Sequence, residues 1–173
     1  MSNFQLQSSY QPTGDQPSAI AQLTQSLQNN HRFQTLLGAT GTGKTLLVSK
    51  FLEEGCLRGE RAILFAYEES RAQLSRNAYS WGIDFEDLEN QGLLKLLCTY
   101  PESAGLEDHL QTIKSEIEDF KPSRIAIDSL SALARGVTEN AFRQFVIGVT
   151  GYAKQEEITG FFTNTTDQFI HIP

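Results

Sequence analysis

The sequence predicts an α/β domain: a three-layer sandwich in which a five-stranded, mostly parallel sheet lies between two layers of helices. Short apolar runs alternate with longer amphipathic stretches along the 173 residues, an order typical of parallel strands joined by crossover helices. A glycine-rich octapeptide, residues 38–45, separates the first apolar run from the first long amphipathic stretch. A chain of this length suits one such domain with a buried core.

The lead segment is predicted to be extended up to residue 16, where the chain is polar. A helix is predicted from Pro17, because proline suits the first helical position and the apolar residues up to Leu27 follow at helical spacing. Residues 34–37 form a short apolar run and are predicted as the first strand. A second helix follows the octapeptide and ends near residues 55–59, where two glycines occur.

Four further strands are predicted from short apolar runs, at residues 62–66, 93–99, 124–128 and 159–164. The run at 62–66 is apolar throughout, as in strands that are buried on both faces of a parallel sheet.

Four more helices are predicted between and after these strands. One covers about 70–80, and Asp84 is expected to cap a short one. The clearest covers residues 106–120, where apolar residues recur at alternating spacings of four and three. The last is predicted at 139–157.

The octapeptide reads G-A-T-G-T-G-K-T and matches the phosphate-binding pattern G-x-x-x-x-G-K-[ST] in full. Its backbone N–H groups and the start of the next helix are suited to hold phosphates. Lys44 is expected to reach the β- and γ-phosphates, and Thr45 to bind Mg²⁺. The candidate nucleotide-binding residues here are Gly38, Ala39, Thr40, Gly41, Thr42, Gly43, Lys44, Thr45 and Leu46.

The octapeptide has two alternative interpretations. A chance glycine-rich turn is disfavoured because a predicted strand precedes it and a predicted helix follows it. A dinucleotide-binding loop needs G-x-G-x-x-G, and the last position of that pattern is Leu46 here.

Asp128 ends a predicted strand and is the candidate second metal-binding residue, because phosphate-loop enzymes hold the metal with a carboxylate at such a position. The alternative is that Asp128 caps the next turn together with Ser129 and Ser131.

Glu68 and Glu69 follow the strand at 62–66 and are the candidate catalytic residues. The carboxyl ends of parallel strands form the ligand crevice, where a carboxylate can polarise an attacking water. Glu68 is also a candidate metal ligand. The alternative places both residues in the first turn of the next helix, where the helix dipole favours acids. The sequence leaves both interpretations open.

Three further sets of residues are weaker candidates. Thr163 and Asn164 end the last strand and are candidate sensors of the γ-phosphate, although a polar turn is the commoner case. Tyr10 and Trp81 are each able to stack on a base, although single aromatic residues more often pack in a core.

Composition restricts the function classes. The net charge of −7 argues against nucleic-acid binding, which needs clustered Lys and Arg. No apolar run is long enough to span a membrane, and the N-terminus shows no signal peptide. Cys56 and Cys98 lie outside any C-x-x-C pattern and are interpreted as reduced, buried thiols of a cytoplasmic protein.

Residues 4–45 closely resemble the N-terminus of the UvrB family of excision-repair helicase-like subunits. The specific part is the stretch YQPTGDQP at 10–17. The resemblance implies that Tyr10 and Gln16 contact adenine.

Residues 38–169 closely resemble the second ATPase domain of the KaiC family of circadian-clock ATPases, over long segments such as RAILFAYEESRAQLSRNAYSWG at 61–82. The resemblance implies a RecA-type fold, ATP between subunits of a ring, Lys44 and Thr45 as Walker A residues, and Asp128 as the Walker B residue. It further implies that Glu68 and Glu69 are catalytic and that Trp81 lies beside adenine.

Together the two resemblances predict one chimeric domain over 1–173, engineered or aberrant. Residues 1–37 are UvrB-like, 38–45 are shared, 46–169 are KaiC-like and 170–173 match neither family. The RecA-type order places the strands as 34–37, 159–164, 124–128, 62–66 and 93–99. The strand at 34–37 is then an exposed edge, through which self-association is expected.

The expected function is ATP and Mg²⁺ binding with weak or no hydrolysis. The KaiC-like region stops at Phe169, before the family's autophosphorylation pair, its later strands and the basic groups that act on a neighbouring subunit's ATP. KaiC-type autokinase activity, nucleic-acid binding and membrane association are not expected. The alternative function is a chimera that binds nucleotide only incidentally.

Overall fold

The computed structural model describes residues 17–18, 21–22, 25, 33–37 and 43–165, with 33–37 described by their backbone. Contacts divide the chain into two compact units, residues 1–31 and 32–173. In the first unit the described residues are helical, as predicted for this stretch. The Gln22 side-chain amide there donates a hydrogen bond of 3.1 Å to the Ser18 hydroxyl. That 1–173 form one domain stays a prediction.

The second unit contains a parallel sheet. Strands β2–β5, whose side chains are described, form its body, and β1, described by its backbone, pairs with β5 at one edge. The spatial order β1-β5-β4-β2-β3 is the order that the RecA-type resemblance implies. The strands are β1 Phe33–Leu37, β2 Ala62–Ala66, β3 Leu94–Cys98, β4 Arg124–Asp128 and β5 Thr159–Asn164.

The register brings the carboxyl ends of the strands together. Ala66 at the end of β2 lies opposite Asp128 at the end of β4, and Leu37 at the end of β1 lies opposite Asn164 at the end of β5. Polar residues at or just after these ends therefore gather at one edge of the sheet.

Six α-helices are described in the second unit. They are α1 Lys44–Leu57, α2 Arg71–Ser80, α3 Phe85–Asn90, α4 Leu106–Phe120, α5 Leu130–Leu133 and α6 Glu139–Gln155. The four-residue α5 was not predicted, because one turn is too short to show a helical period. The prediction for α6 extended two residues too far, to 157, and that for β3 was one residue too long at each end.

The helices cover both faces of the sheet, which confirms the three-layer arrangement. Every residue of β2 is buried. On one face Ile63 and Phe65 pack in a cluster that includes residues of α4 and α6. On the other, Leu64 packs in a cluster that includes residues of α1, α2 and α3. The apolar run at 62–66 follows from burial on both sides.

Two features of the remaining chain bear on the sequence predictions. Both cysteines are free, and Cys56 is buried as predicted. The prediction of burial was wrong for Cys98, which is only partly buried at the end of the edge strand β3. Among the described helices, none is long and apolar enough to cross a membrane.

Candidate functional site

A pocket of about 340 Å³ lies at the carboxyl ends of β2 and β4, beside the start of α1. Residues from four parts of the second unit line it. They are Gly43, Lys44, Thr45, Leu46, Ala66, Glu68, Glu69, Leu74, Asn77, Trp81 and Asp128.

The start of α1 forms one wall of the pocket. Gly43 is the N-cap and has a φ of 79°, a conformation that favours glycine because other residues meet a steric penalty there. Lys44 begins the helix and is 8% exposed. The structure therefore describes the end of the predicted phosphate loop, while Gly38, Ala39, Thr40, Gly41 and Thr42 lie outside the described residues.

A hydrogen bond joins α1 to the end of β4. The Thr45 hydroxyl donates to Asp128 Oδ2 at 2.7 Å, and the fully buried Thr163 hydroxyl donates to Asp128 Oδ1. The alternative in which Asp128 caps the next turn is wrong, because its carboxylate bonds to α1 and β5 instead. Ser129 is the N-cap of α5, and its side chain makes no capping hydrogen bond.

Glu69 is half-buried and lines the pocket. Its Oε2 accepts a hydrogen bond of 3.1 Å from the Asn77 side-chain amide on α2. Burial raises the pKa of the Glu69 carboxyl, and the charges of Asp128 and Glu68 raise it further, while hydrogen bonds from Asn77 and Thr45 act against this. The Glu69 and Asp128 carboxylates thus both lie near the Thr45 hydroxyl.

Glu68 also lines the pocket but has a different environment. Its Oε2 accepts a hydrogen bond of 3.0 Å from the Ser129 hydroxyl, and its Oε1 pairs with Arg135. The alternative that placed both glutamates in the first turn of α2 is wrong. The Ser70 side chain caps that helix by accepting from the Gln73 N–H, and the first turn holds no acidic residue.

The other predicted residues fall into three groups. Trp81, directly after α2, lines the pocket. Thr163 reaches Asp128 but does not line the pocket, and the buried Asn164 side chain accepts from the Thr165 N–H at 3.1 Å. Tyr10 and Gln16 lie outside the described residues.

Asn77 is the polar pocket residue that the sequence analysis missed, and the apolar Ala66 and Leu74 line the pocket without having been predicted. Asn77 precedes Trp81 by four residues, and residues four apart lie on the same face of a helix. That spacing was the available signal, but nothing in the sequence paired Asn77 with Glu69.

A sequence model of the family described as "ATPase: KaiC" matches residues 21–169. The chain belongs to the KaiC ATPase family. The circadian clock oscillator proteins KaiC of Rippkaea orientalis and Picosynechococcus sp. are 90% and 91% identical to it over 133 residues, and that of Synechococcus elongatus is 82% identical. Each alignment covers 77% of this chain and 26% of the relative, so the chain spans about a quarter of the length of these proteins.

The KaiC match is wider than the sequence analysis predicted. It begins at residue 21 instead of 38 and ends at 169, as predicted. It therefore includes part of the segment interpreted as UvrB-like. The comparisons give no support for the UvrB resemblance, so the chimeric interpretation of this KaiC-family chain stays a prediction.

The donor set of the KaiC-family pocket fits a magnesium ion. Thr45 and Asp128 offer hydroxyl and carboxylate oxygens, the ligands that Mg²⁺ prefers. In the described part of the chain no group of three or more His, Cys, Asp or Glu residues is arranged to hold a metal. Mg²⁺ is commonly held by one or two protein oxygens together with waters and substrate phosphates.

Proposed function

We propose that this KaiC-family chain binds ATP together with Mg²⁺ in the pocket at the start of α1. The observation that carries the proposal is the 2.7 Å hydrogen bond from Thr45 to Asp128. It joins the first turn after a phosphate-loop sequence to a carboxylate at a strand end, which is the pair that holds Mg²⁺ in phosphate-loop ATPases. Lys44 lies in the same wall.

Each group of the proposed ATP site has a proposed role. The backbone of 38–43 and the Lys44 ammonium bind the phosphates. Thr45 and Asp128 hold the Mg²⁺ ion, which when bound offsets phosphate charge. Trp81 is the proposed contact for the base, because it lines the pocket and offers an aromatic face. Tyr10 and Gln16 stay the alternative base contacts.

Hydrolysis is proposed to be weak in this chain by itself. Glu69 is the proposed group that orients the attacking water, since Glu68 is already engaged by Ser129 and Arg135. Among the described pocket residues, Lys44 is the one basic side chain. A further cation on the γ-phosphate accelerates phosphoryl transfer. We therefore expect weak turnover from a chain that supplies no such cation.

The binding proposal is tested by titrating the chain with a fluorescent ATP analogue in Mg²⁺. The variant Lys44→Ala should lose binding, because the phosphate charge is no longer compensated. Lys50→Ala is the matched control, since Lys50 lies on the same helix and pairs with Glu53 at its surface. Saturable binding that survives Lys44→Ala contradicts the proposal.

The hydrolysis proposal is tested with Glu68→Gln and Glu69→Gln, singly and together. Hydrolysis should fall most with Glu69→Gln while ATP affinity persists. Turnover as fast as that of intact ring ATPases would contradict the weak activity.

Two wider proposals concern the whole chain. We propose that it corresponds to an ATPase domain of a KaiC-type protein and self-associates through the β1 edge, since β1 pairs with β5 alone among the described strands. Sedimentation velocity over a wide concentration range tests the proposed self-association.

If the folded chain binds no ATP and ATP leaves its melting temperature unchanged, the chimera with incidental binding becomes the better interpretation.

A further inference from the structure

We propose that Asn77 is a positioning residue that holds the Glu69 carboxylate toward Thr45 and Asp128 for ATP hydrolysis. This inference rests on the proposed function, because it concerns how the hydrolytic carboxylate is oriented within the same pocket.

The contact itself is direct. Asn77 Nδ2 donates to Glu69 Oε2 at 3.1 Å, and both side chains line the pocket. Glu69 lies in the connection between β2 and α2, whereas Asn77 lies within α2. The bond therefore ties a side chain on a connecting segment to a regular element, which narrows the orientations open to the carboxylate.

The helix that carries Asn77 is fixed by the core. Its neighbours Leu74 and Ala78 are 1% and 0% exposed and pack in the cluster beneath that face of the sheet. Asn77 is half-buried beside them. Because the backbone of α2 is held on both sides of Asn77, the amide is presented to Glu69 from a rigid support.

The carboxylate that Asn77 contacts lies in the same pocket as Thr45 and Asp128. The hydrogen bond from the Asn77 amide holds Glu69 in this pocket, beside the groups that the proposed function assigns to Mg²⁺.

The presence of asparagine at position 77 also points to a specific role. Asparagine is a poor helix former compared with alanine, and Asn77 lies in the last turn of a ten-residue helix. Such local mismatches are expected at functional sites. A solvated polar residue at this position would not need to contact a pocket carboxylate.

The test compares Asn77→Ala with Gln73→Ala in the full chain. Gln73 is the matched control, because its side chain is an exposed amide one turn earlier on α2. ATP affinity, single-turnover hydrolysis and melting temperature are measured on the same preparations. Asn77→Ala should lower hydrolysis on the order of tenfold with ATP affinity and melting temperature nearly unchanged, and Gln73→Ala should change none of them.

Two further variants separate positioning from a structural role. Asn77→Gln keeps an amide donor and should restore part of the lost hydrolysis. In a Glu69→Gln background, Asn77→Ala should cause no further loss, because the residue acts through Glu69. An equal loss in both backgrounds, unchanged hydrolysis, or a joint fall of affinity and melting temperature would overturn the proposal.

The failure of this inference can be told apart from the failure of the proposed function. If the parent chain binds ATP but turns none over, the roles of Glu69 and Asn77 are both wrong and ATP binding stands. If the parent chain binds no ATP, the proposed function itself fails.

Discussion

Glu68 and Glu69 are adjacent residues of the same type, yet their side chains differ in exposure and in hydrogen-bond partners. Glu68 is exposed and tied to Arg135 and Ser129, whereas Glu69 is half-buried and tied to Asn77. The chain bends at residues 67–69 directly after β2, so the two adjacent side chains reach different partners. The sequence predicted that both lie at the pocket, but which glutamate faces Thr45 depends on contacts with distant residues.

The Cys56 and Cys98 thiols should differ in reactivity because their surroundings bury them to different degrees. Burial raises the pKa of the Cys56 thiol to about 11 and also raises the pKa of the Cys98 thiol. The thiolate is the reacting form, and Cys98 is the more exposed residue. We expect iodoacetamide at pH 8 to modify Cys98 first and Cys56 only after unfolding.

Peptide mass spectrometry over time measures the two rates separately. Denaturing the protein is the control, because both thiols should then react at similar rates. Equal rates in the folded protein would show that the burial of Cys56 is not maintained in solution.

The elements that the sequence predicted best are those whose pattern depends on burial alone. β2 and β4 appear as apolar runs because both faces of the sheet are covered, and the end of β4 at Asp128 follows from the change to polar residues. The position of α4 follows from its strict apolar period. The short α5 has no period, and the ends of α6 and β3 depend on contacts that a local pattern does not contain.

At the far end of the sheet, a close approach of α1 to β4 gives an element-scale prediction. A Cβ added at Gly55 would lie 2.6 Å from Arg124 Cδ. Arg124 donates to the Phe51 carbonyl at 3.0 Å and pairs with Glu60. We expect Gly55→Ala to displace Arg124 and lower the free energy of unfolding by about 1–3 kcal/mol.

Gly151→Ala is the matched control within α6. A Cβ there meets nothing within 4 Å, so this change should stabilise the helix by about 0.5–1 kcal/mol. Urea unfolding monitored by circular dichroism measures both. Equal effects of the two substitutions would show that displacing Arg124 does not lower the free energy of unfolding.

At the scale of the whole molecule, the parallel sheet assembles the site. Thr45, Glu69 and Asp128 are distant in sequence, yet each lies at or just beyond the carboxyl edge of the sheet, beside one pocket. The sequence predicted this gathering because parallel strands bring their ends to one side. It did not predict the Asn77 contact, which depends on how α2 rotates about its axis when it packs.

The whole-molecule prediction concerns stability. A ligand at one hundred times its Kd adds about 2.7 kcal/mol to the free energy of unfolding, which for a chain of this size raises the melting temperature by roughly 5–10 °C. We expect this shift with ATP and Mg²⁺ and a much smaller one for Asp128→Asn. Differential scanning fluorimetry measures it, with Asp119→Asn as the control, since Asp119 lies away from the pocket near the end of α4.

The central claim is that Lys44, Thr45 and Asp128 form one ATP and Mg²⁺ site, and a crystal structure with a non-hydrolysable ATP analogue and Mg²⁺ tests it most directly. The account predicts the phosphates at the start of α1 beside Lys44, with Mg²⁺ about 2.0–2.1 Å from the Thr45 hydroxyl oxygen and Asp128 on the same ion or its water shell. A nucleotide bound elsewhere, or phosphates that leave Thr45 and Asp128 uncontacted, would contradict it.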